Sequence, residues 1–330
     1  MKTLCVYHSI DLDGWMSAAI VEKWFIKENE FWNITNLNSE NEFKTKTNRG
    51  LIGVVNPTID FIGYNYGQPI PDLSEYDKVI MVDISFPAEK MYDLWSILGT
   101  NFIWLDHHIS AIKDVDEKLP LQKIIGIRDT KFAACELTWK YFFLNSSMPE
   151  IVRLLGRWDC FGHKGTDEEQ KVLEFQYGAR ACINNYEDAY MYLDRSLTED
   201  NKMNDRIVEV MWTNGRGIYN FLCMDAKQSY KNGFEIKLFE PNCKLAIDGI
   251  LNFICINKER FNPINFGIDY HSDGYDGVAC FHYANGEYNF SLYNDNGEVD
   301  CSVIAKQFGG GGHKGASGFR VKSLDQIINQ

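Results

Sequence analysis

The first half of the chain alternates between short apolar runs and segments with apolar residues at helical spacing. Three almost continuously apolar runs predict buried strands, over residues 3–7, 78–82 and 101–105. Helical spacing predicts four helices, over residues 15–27, 87–98, 132–143 and 151–155. Because continuous apolar runs suit strands that are covered on both faces, this half is predicted to be an α/β domain, with a parallel sheet and helices on both faces.

The second half has a different pattern. Residues 196–231 are mainly helical in pattern but are interrupted by Gly215 and Gly217, where we expect a hinge. Strand-like runs follow over residues 235–238, 244–247, 277–282 and 288–293, and Asn285-Gly286 predicts a hairpin turn between the last two. We therefore predict three segments, an N-terminal domain over residues 1–195, a helical connector over 196–232 and a smaller α+β domain over 233–330.

The composition is that of a globular protein and narrows the possible partners. The chain has 330 residues, of which 45% are hydrophobic and 24% charged, and this excludes a disordered, collagen-like or coiled-coil protein. Its formal net charge of −13 does not fit a protein that coats long nucleic acid. We see neither a signal peptide nor a membrane-spanning run, and the nine cysteines form no C-x-x-C pair. A cytoplasmic location with reduced thiols is therefore expected.

Acidic residues and histidines follow the three predicted strands of the first half. The first strand runs into His8, Asp11 and Asp13, the second into Asp83, and the third into Asp106-His107-His108. In a parallel sheet these strand ends share one edge, so the side chains are expected to converge. Crowded carboxylates repel each other unless cations neutralise them, and mixed carboxylate and imidazole ligands suit manganese or a related ion. Asp159, after a predicted helix, is a candidate fifth carboxylate.

A glycine run lies near the C-terminus. Gly309, Gly310, Gly311 and Gly312 are followed directly by His313 and Lys314. Such a run allows close approach of the backbone to a ligand and can present N–H groups to an anion, with His313 and Lys314 completing a phosphate site. Too few residues follow it for a dinucleotide-binding fingerprint, and no Gly-Lys-Ser or Gly-Lys-Thr closes it as in a phosphate-binding loop.

In combination these motifs resemble the DHH phosphoesterase family. The resemblance rests on Asp106-His107-His108, the Asp-x-Asp-Gly motif from Asp11 to Gly14 with His8 before it, Asp83, Asp159 and the Gly-Gly-Gly-His run ending at His313, which occur in family order. It extends over residues 8–318 and implies a catalytic metal-binding domain followed by a DHH-associated C-terminal domain that binds substrate.

The resemblance also implies the role of each residue. Two divalent ions, most often manganese, would be held by His8, Asp11 and Asp83 and by Asp13, Asp83, His107 and Asp159. Asp106 would orient His107, and His108 would face the substrate phosphate or assist the leaving group. The glycine run, His313 and Lys314 would hold a terminal nucleotide or phosphate. Tyr293 stands where related enzymes often carry an arginine that contacts substrate.

We expect a manganese-dependent phosphodiesterase that hydrolyses very short oligonucleotides, nanoRNA or linear dinucleotides, to mononucleotides. The alternatives are hydrolysis of polyphosphate, cyclic dinucleotides or bisphosphorylated nucleotides, and, remotely, a catalytically silent nucleotide sensor. The expected partners are a short oligonucleotide or nucleotide phosphate and, at most, a second copy of the chain in a homodimer. A loop at Gly63-Tyr64-Asn65-Tyr66-Gly67 is either part of the cleft or an ordinary aromatic loop.

Overall fold

The structure is a computed structural model, and it describes residues 1–43, 57–119, 123–197, 201–241, 249–259 and 261–328. The chain divides into two compact units, Met1–Ile218 and Tyr219–Gln330. The division falls within a helix of the predicted connector, so the three-segment boundaries 1–195, 196–232 and 233–330 stay a prediction. Within the described residues, none of the helices combines the length and the apolarity that crossing a membrane requires.

The first unit contains a four-stranded parallel sheet, as the apolar runs predict. The strands are β1 (Lys2–His8), β2 (Thr58–Tyr64), β3 (Lys78–Val82) and β4 (Phe102–Leu105), in the order β2-β1-β3-β4. The sequence pattern does not predict β2, because this edge strand is only half-buried and includes Asp60, so it lacks a continuous apolar run. The three strands that the pattern predicts are the buried ones.

Helices cover both faces of this sheet, which confirms the predicted α/β architecture. The helices in this part of the chain are α1 (Leu12–Phe43), α2 (Ala88–Leu98), α3 (Ile109–Lys118), α4 (Ala134–Phe142), α5 (Glu150–Asp159), α6 (Glu169–Cys182), α7 (Tyr186–Ser196) and α8 (Asn201–Lys231), the last of which continues into the second unit. On one face Val79 and Met81 of β3 pack with α2 and α3, and on the other Ile80 and Val82 pack with α1. The alternate residues of one strand thus contribute to two separate cores.

The predicted interruption at Gly215 and Gly217 is wrong, because α8 runs through both glycines without a break. A Cβ atom at Gly215 would lie 1.8 Å from the carbonyl oxygen of Glu174, and one at Gly178 would lie 1.8 Å from that of Met211. The absent side chains therefore allow the backbones of α6 and α8 to touch. Gly215 serves close helix packing within the first unit, which leaves no structural support for a hinge at that position.

The described part of the second unit contains the C-terminal end of α8, a six-stranded sheet and two short helices, in agreement with the predicted α+β class. The strands are β5 (Phe234–Phe239), β6 (Ile250–Asn257), β7 (Gly277–Ala284), β8 (Glu287–Tyr293), β9 (Gly311–Gly312) and β10 (Ala316–Val321), in the order β5-β6-β7-β8-β10-β9. The helices are α9 (Cys301–Gln307) and α10 (Asp325–Ile328). The predicted strand at 244–247 lies outside the described residues.

The hairpin between β7 and β8 forms where the Asn-Gly dipeptide predicts it. Asn285 and Gly286 have φ angles of 55° and 84°, the positive values that a type I′ turn requires. The turn brings Phe281 and Phe290 into register, and their rings stack with centroids 5.3 Å apart. Phe319 of β10 stacks on Phe290 in turn, so a column of aromatic rings crosses the core of this unit.

Candidate metal centre

The carboxyl ends of β1, β3 and β4 bring the predicted acidic residues and histidines together in the first unit. His8 is the last residue of β1, Asp83 follows β3, and Asp106 follows β4. These strands are adjacent and parallel, so their ends lie at the same edge of the sheet. The loop after β1 adds Asp11, and α1 carries Asp13 in its first turn.

One group of possible ligands surrounds His8. Its Nδ1 atom lies 2.8 Å from Oδ2 of Asp11 and 3.5 Å from Oδ2 of Asp83. Each of the three residues places one ligand atom within 4.8 Å of the others, a spacing that suits a common ion. These are the three residues that the resemblance assigns to the first ion.

A second group surrounds His107. Its Nε2 atom lies 3.6 Å from Oδ2 of Asp13, 3.4 Å from Oδ1 of Asp83 and 3.2 Å from Oδ2 of Asp159. Asp159 is the last residue of α5, a helix that reaches the strand ends from another part of the unit. Asp83 faces both groups, with Oδ2 toward His8 and Oδ1 toward His107.

The donor set fits divalent cations, as three buried atoms indicate. His8 Nδ1, Asp83 Oδ1 and His107 Nε2 are buried and, among the described residues, make no hydrogen bond of acceptable geometry, although carboxylate oxygens lie within 2.8–3.6 Å. Buried polar atoms without partners carry a cost of about 1–3 kcal/mol each. Buried ligand atoms that converge in this way without hydrogen-bonding to one another are typical of a metal site.

Burial and charge shift the pKa of every residue in the two groups. Burial opposes the charge on His8 and His107, but the neighbouring carboxylates outweigh it and raise the pKa of each to about 10. Burial, with charge repulsion between the carboxylates, raises the pKa of Asp13 and of Asp159 to about 7. The histidines therefore act as counter-charges for the carboxylates in the metal-free protein, a role that cations of higher charge would take over.

The backbone at the centre of the site is strained. Asp83 has a φ angle of 60°, which is uncommon for a residue other than glycine, and its N–H donates to the carbonyl oxygen of Leu105. Such a conformation costs about 1–2 kcal/mol, and strain of this kind concentrates at functional sites. The strained turn directs the carboxylate of Asp83 between His8 and His107.

Asp13 is held by the N-terminus of α4, a contact that the sequence pattern does not predict. Its two oxygens accept hydrogen bonds of 2.8 Å from the backbone N–H groups of Ala134 and Cys135. These groups at a helix N-terminus favour a negative charge and fix the carboxylate. Gly14 is required beside it, because a Cβ atom there would lie 2.1 Å from the carbonyl oxygen of His8.

The structure corrects the expected role of Asp106. Its Oδ1 atom accepts from the ring of His108 at 2.8 Å and from the backbone N–H groups of His107 and His108, and its Oδ2 atom accepts from Trp104. The ring it orients is therefore that of His108, whereas the ring of His107 faces the other carboxylates. The reason is local, since Asp106 lies at the end of β4 and caps the turn that follows.

Tyr66 lies beside the site, which favours the cleft interpretation of the Gly63–Gly67 segment. Its ring centroid is 6.2 Å from that of His8 and 6.4 Å from that of His108, and its hydroxyl hydrogen-bonds to Ser85. The loop follows β2, the strand that the sequence pattern does not predict. Recognition of that strand would place Tyr66 at the same edge as the other strand ends.

The glycine run in the second unit is hydrogen-bonded to its own backbone. The N–H groups of Gly309, Gly310 and His313 donate to the carbonyl oxygens of Lys306, Ala305 and Ala316. These N–H groups end α9 and join β9 to β10, so they are not available to an anion. That the rest of the run presents N–H groups to an anion stays a prediction. His313 and Lys314 are exposed, and their contact with substrate stays a prediction.

Comparison with known proteins gives a fold and one relative. No family model matches the chain. The uncharacterized protein R106 of Acanthamoeba polyphaga mimivirus is 26% identical over 269 residues, which are 79% of this chain, and the match spans 57% of that protein's length. The DHH domain of a protein described as a member of a family of ribosomal proteins aligns with a TM-score of 0.50 at 13% identity, covering 98% of this chain and 84% of that one.

Two further solved structures align less well. They are the pGpG-specific phosphodiesterase PggH from Vibrio cholerae (TM-score 0.49, 12% identity, 99% of this chain and 95% of that one) and the exonuclease RecJ bound to manganese (TM-score 0.44, 14% identity, 96% and 85%). The chain has the fold of that DHH domain, which is the fold that its motifs predict.

Proposed function

We propose that the protein is a divalent-metal-dependent phosphodiesterase that hydrolyses very short oligonucleotides, nanoRNA or linear dinucleotides, to mononucleotides. The observation that carries this proposal is the pair of ligand groups that share Asp83, one at His8 and one at His107. Two adjacent cation sites at the carboxyl edge of a parallel sheet suit the hydrolysis of a phosphate ester.

The residues that would hold two ions are those of the two groups. His8, Asp11 and Asp83 would hold one, and Asp13, Asp83, His107 and Asp159 the other, with manganese favoured by the mixed carboxylate and imidazole donors. When bound, such ions supply Lewis-acid neutralisation of phosphoryl charge and lower the pKa of coordinated water.

The protein's own groups would orient the reaction. The ligand histidines His8 and His107 have side chains 10% and 11% exposed, whereas that of His108 is 35% exposed and therefore accessible to a substrate. Burial opposes the charge on His108, but Asp106, which accepts the Nδ1 proton, raises the pKa of the ring. The protonated ring would then hold on Nε2 a proton for the departing oxygen. The buried Asp106 fixes this ring orientation before substrate binds.

Charge favours a short substrate. The chain carries 46 Asp and Glu against 33 Lys and Arg, so a long phosphate backbone would be repelled outside the metal centre. We propose that His313 and Lys314, which are exposed beside the glycine run, bind the terminal phosphate of the substrate.

A substrate screen tests this proposal. Purified protein with manganese is incubated with linear dinucleotides, longer oligonucleotides, cyclic dinucleotides, bisphosphorylated nucleotides and polyphosphate, and products are separated by chromatography. Mononucleotides from linear dinucleotides at the highest kcat/KM are expected. Turnover of polyphosphate without turnover of dinucleotides would contradict the substrate assignment, and nucleotide binding without any turnover would indicate a silent sensor.

A pair of aspartate variants controls for contaminating enzymes. Asp83→Asn is expected to abolish turnover, whereas Asp93→Asn, on the exposed face of α2, is expected to leave it unchanged.

A further inference from the structure

A cavity of about 340 Å³ opens beside the metal centre in the first unit. Its walls come from the first turn of α1, from α5 and α6, and from the residues that follow α6, and the carboxylates of Asp11, Asp13 and Asp159 lie at one side of it. The volume falls at the lower end of the roughly 300–1,000 Å³ range of small-molecule sites. A ligand in this cavity would have one end at the proposed ions.

A buried amide oxygen without a hydrogen-bond partner points to a polar ligand. Gln176 lines the cavity and is 2% exposed, and its Oε1 atom makes no hydrogen bond with any described residue. Buried amide oxygens are almost always paired, since each unpaired one costs about 1–3 kcal/mol. A ligand that offers an N–H group in this cavity would remove that cost.

The remaining walls suit a planar ring. Trp15 and Trp158 both line the cavity, and the Nε1 atom of Trp15 is fixed by a 3.0 Å hydrogen bond to the carbonyl oxygen of Ser9. The guanidinium of Arg180 lies 4.6 Å from the ring centroid of Trp158, in a cation–π contact. Aromatic and guanidinium planes of this kind are the surfaces on which nucleobases stack.

We propose that this cavity binds the base of the nucleotide whose phosphate is hydrolysed, with Gln176 bonding to the base edge and Trp158 and Arg180 forming its wall. This inference rests on the proposed phosphodiesterase function and deepens it, because it assigns the substrate to nucleotides rather than to polyphosphate. Polyphosphate has neither a ring that could stack on the aromatic walls nor an N–H group that could donate to the buried amide.

Calorimetric titration tests the cavity without any turnover. The four nucleoside 5′-monophosphates and ribose 5-phosphate are titrated into the full chain in the presence of manganese. At least one mononucleotide is expected to bind about tenfold or more tightly than ribose 5-phosphate, the equivalent of one good buried hydrogen bond with stacking. Ribose 5-phosphate binding as tightly as every mononucleotide would overturn the proposal.

Matched variants locate the effect. Gln176→Leu keeps the side-chain size and is expected to weaken mononucleotide binding about tenfold, without a change for ribose 5-phosphate. Gln170→Leu is the same substitution at an exposed position of the same helix; it removes a hydrogen bond to Glu174, outside the cavity, and is expected to change neither. Arg180→Met, at an exposed position that cannot disrupt the core, is expected to weaken the mononucleotide severalfold, and it carries the test if Gln176→Leu does not fold.

Hydrolysis of two substrates separates this inference from the proposed function. Gln176→Leu is expected to lower kcat/KM for a dinucleotide about tenfold but to leave bis(4-nitrophenyl) phosphate, which has no base, unaffected. Equal effects on both substrates, or on neither, would overturn the base site. Failure of the wild-type protein to hydrolyse any phosphodiester would instead contradict the proposed function, and the calorimetric comparison would still decide whether the cavity binds a base.

Discussion

Replacement of Asp83 by asparagine perturbs both ligand groups at once while it leaves the backbone intact. Asparagine has the same shape as aspartate and is among the few residues that tolerate the φ angle of 60° found there. Burial raises the pKa of Asp83, so the fold disfavours its negative charge in the absence of a cation. The metal-free variant is therefore expected to be at least as stable as the metal-free wild-type protein.

Manganese is expected to reverse that order. A ligand that binds only the folded state at about 100 times its Kd stabilises it by about 2.7 kcal/mol. For a unit of roughly 200 residues each kcal/mol corresponds to about 2–4 °C in Tm, so one bound ion gives about 5–11 °C. Asp83 faces both groups, with Oδ2 3.5 Å from His8 and Oδ1 3.4 Å from His107, so the variant is expected to lose most of this gain.

Scanning calorimetry in EDTA and in saturating manganese measures both effects. The expected result is a manganese-dependent rise in Tm for the wild-type protein and for Asp93→Asn, and a small one or none for Asp83→Asn. A rise of equal size in Asp83→Asn would refute the assignment of Asp83 as the shared ligand. A metal-free variant less stable by several kcal/mol would show that the carboxylate serves the fold rather than the ions.

Two other outcomes follow from the hydrogen bonds and the helix packing. In Asp106→Asn the side chain can no longer accept hydrogen bonds at both of its terminal atoms. We expect kcat to fall about 10–100-fold with KM little changed. An unaltered kcat would contradict the orientation of His108 by Asp106. Gly215→Ala would place a Cβ atom 1.8 Å from the carbonyl oxygen of Glu174 and is expected to lower the free energy of unfolding by about 1–3 kcal/mol. At Gly217 a Cβ atom would have no atom within 4 Å, so Gly217→Ala is expected to raise the free energy of unfolding by about 0.5–1 kcal/mol. Denaturant unfolding measures both changes, and changes of the same sign in the two variants would refute the contact between α6 and α8.

The parallel sheet is predictable because its three inner strands are buried on both faces and leave a continuous apolar signature. The convergence of Asp83 with His8 and His107 follows from that sheet, since the ends of adjacent parallel strands share an edge. The edge strand β2 carries no such signature, and for that reason the sequence alone does not decide the role of Tyr66, which depends on it.

Contacts that do not follow from the strand order of the sheet are beyond prediction from one chain when they join elements distant in sequence. The bond from Asp13 to the N-terminus of α4 joins residues more than 120 positions apart, and nothing in either segment specifies the other. A glycine suits both a flexible hinge and a close contact between helices, so the sequence does not distinguish the two. At Gly215 the structure shows the helix contact. The buried Gln176 likewise has no sequence signal apart from its position on a helix.

Location of bound manganese tests the central claim most directly. Crystals grown with manganese and measured at its absorption edge are expected to give two anomalous peaks about 3.5–4 Å apart on either side of the Asp83 carboxylate, one beside His8 and one beside His107. A peak beside only one of these histidines, or none at the carboxyl edge of the sheet, would contradict a two-metal centre and with it the proposed mechanism.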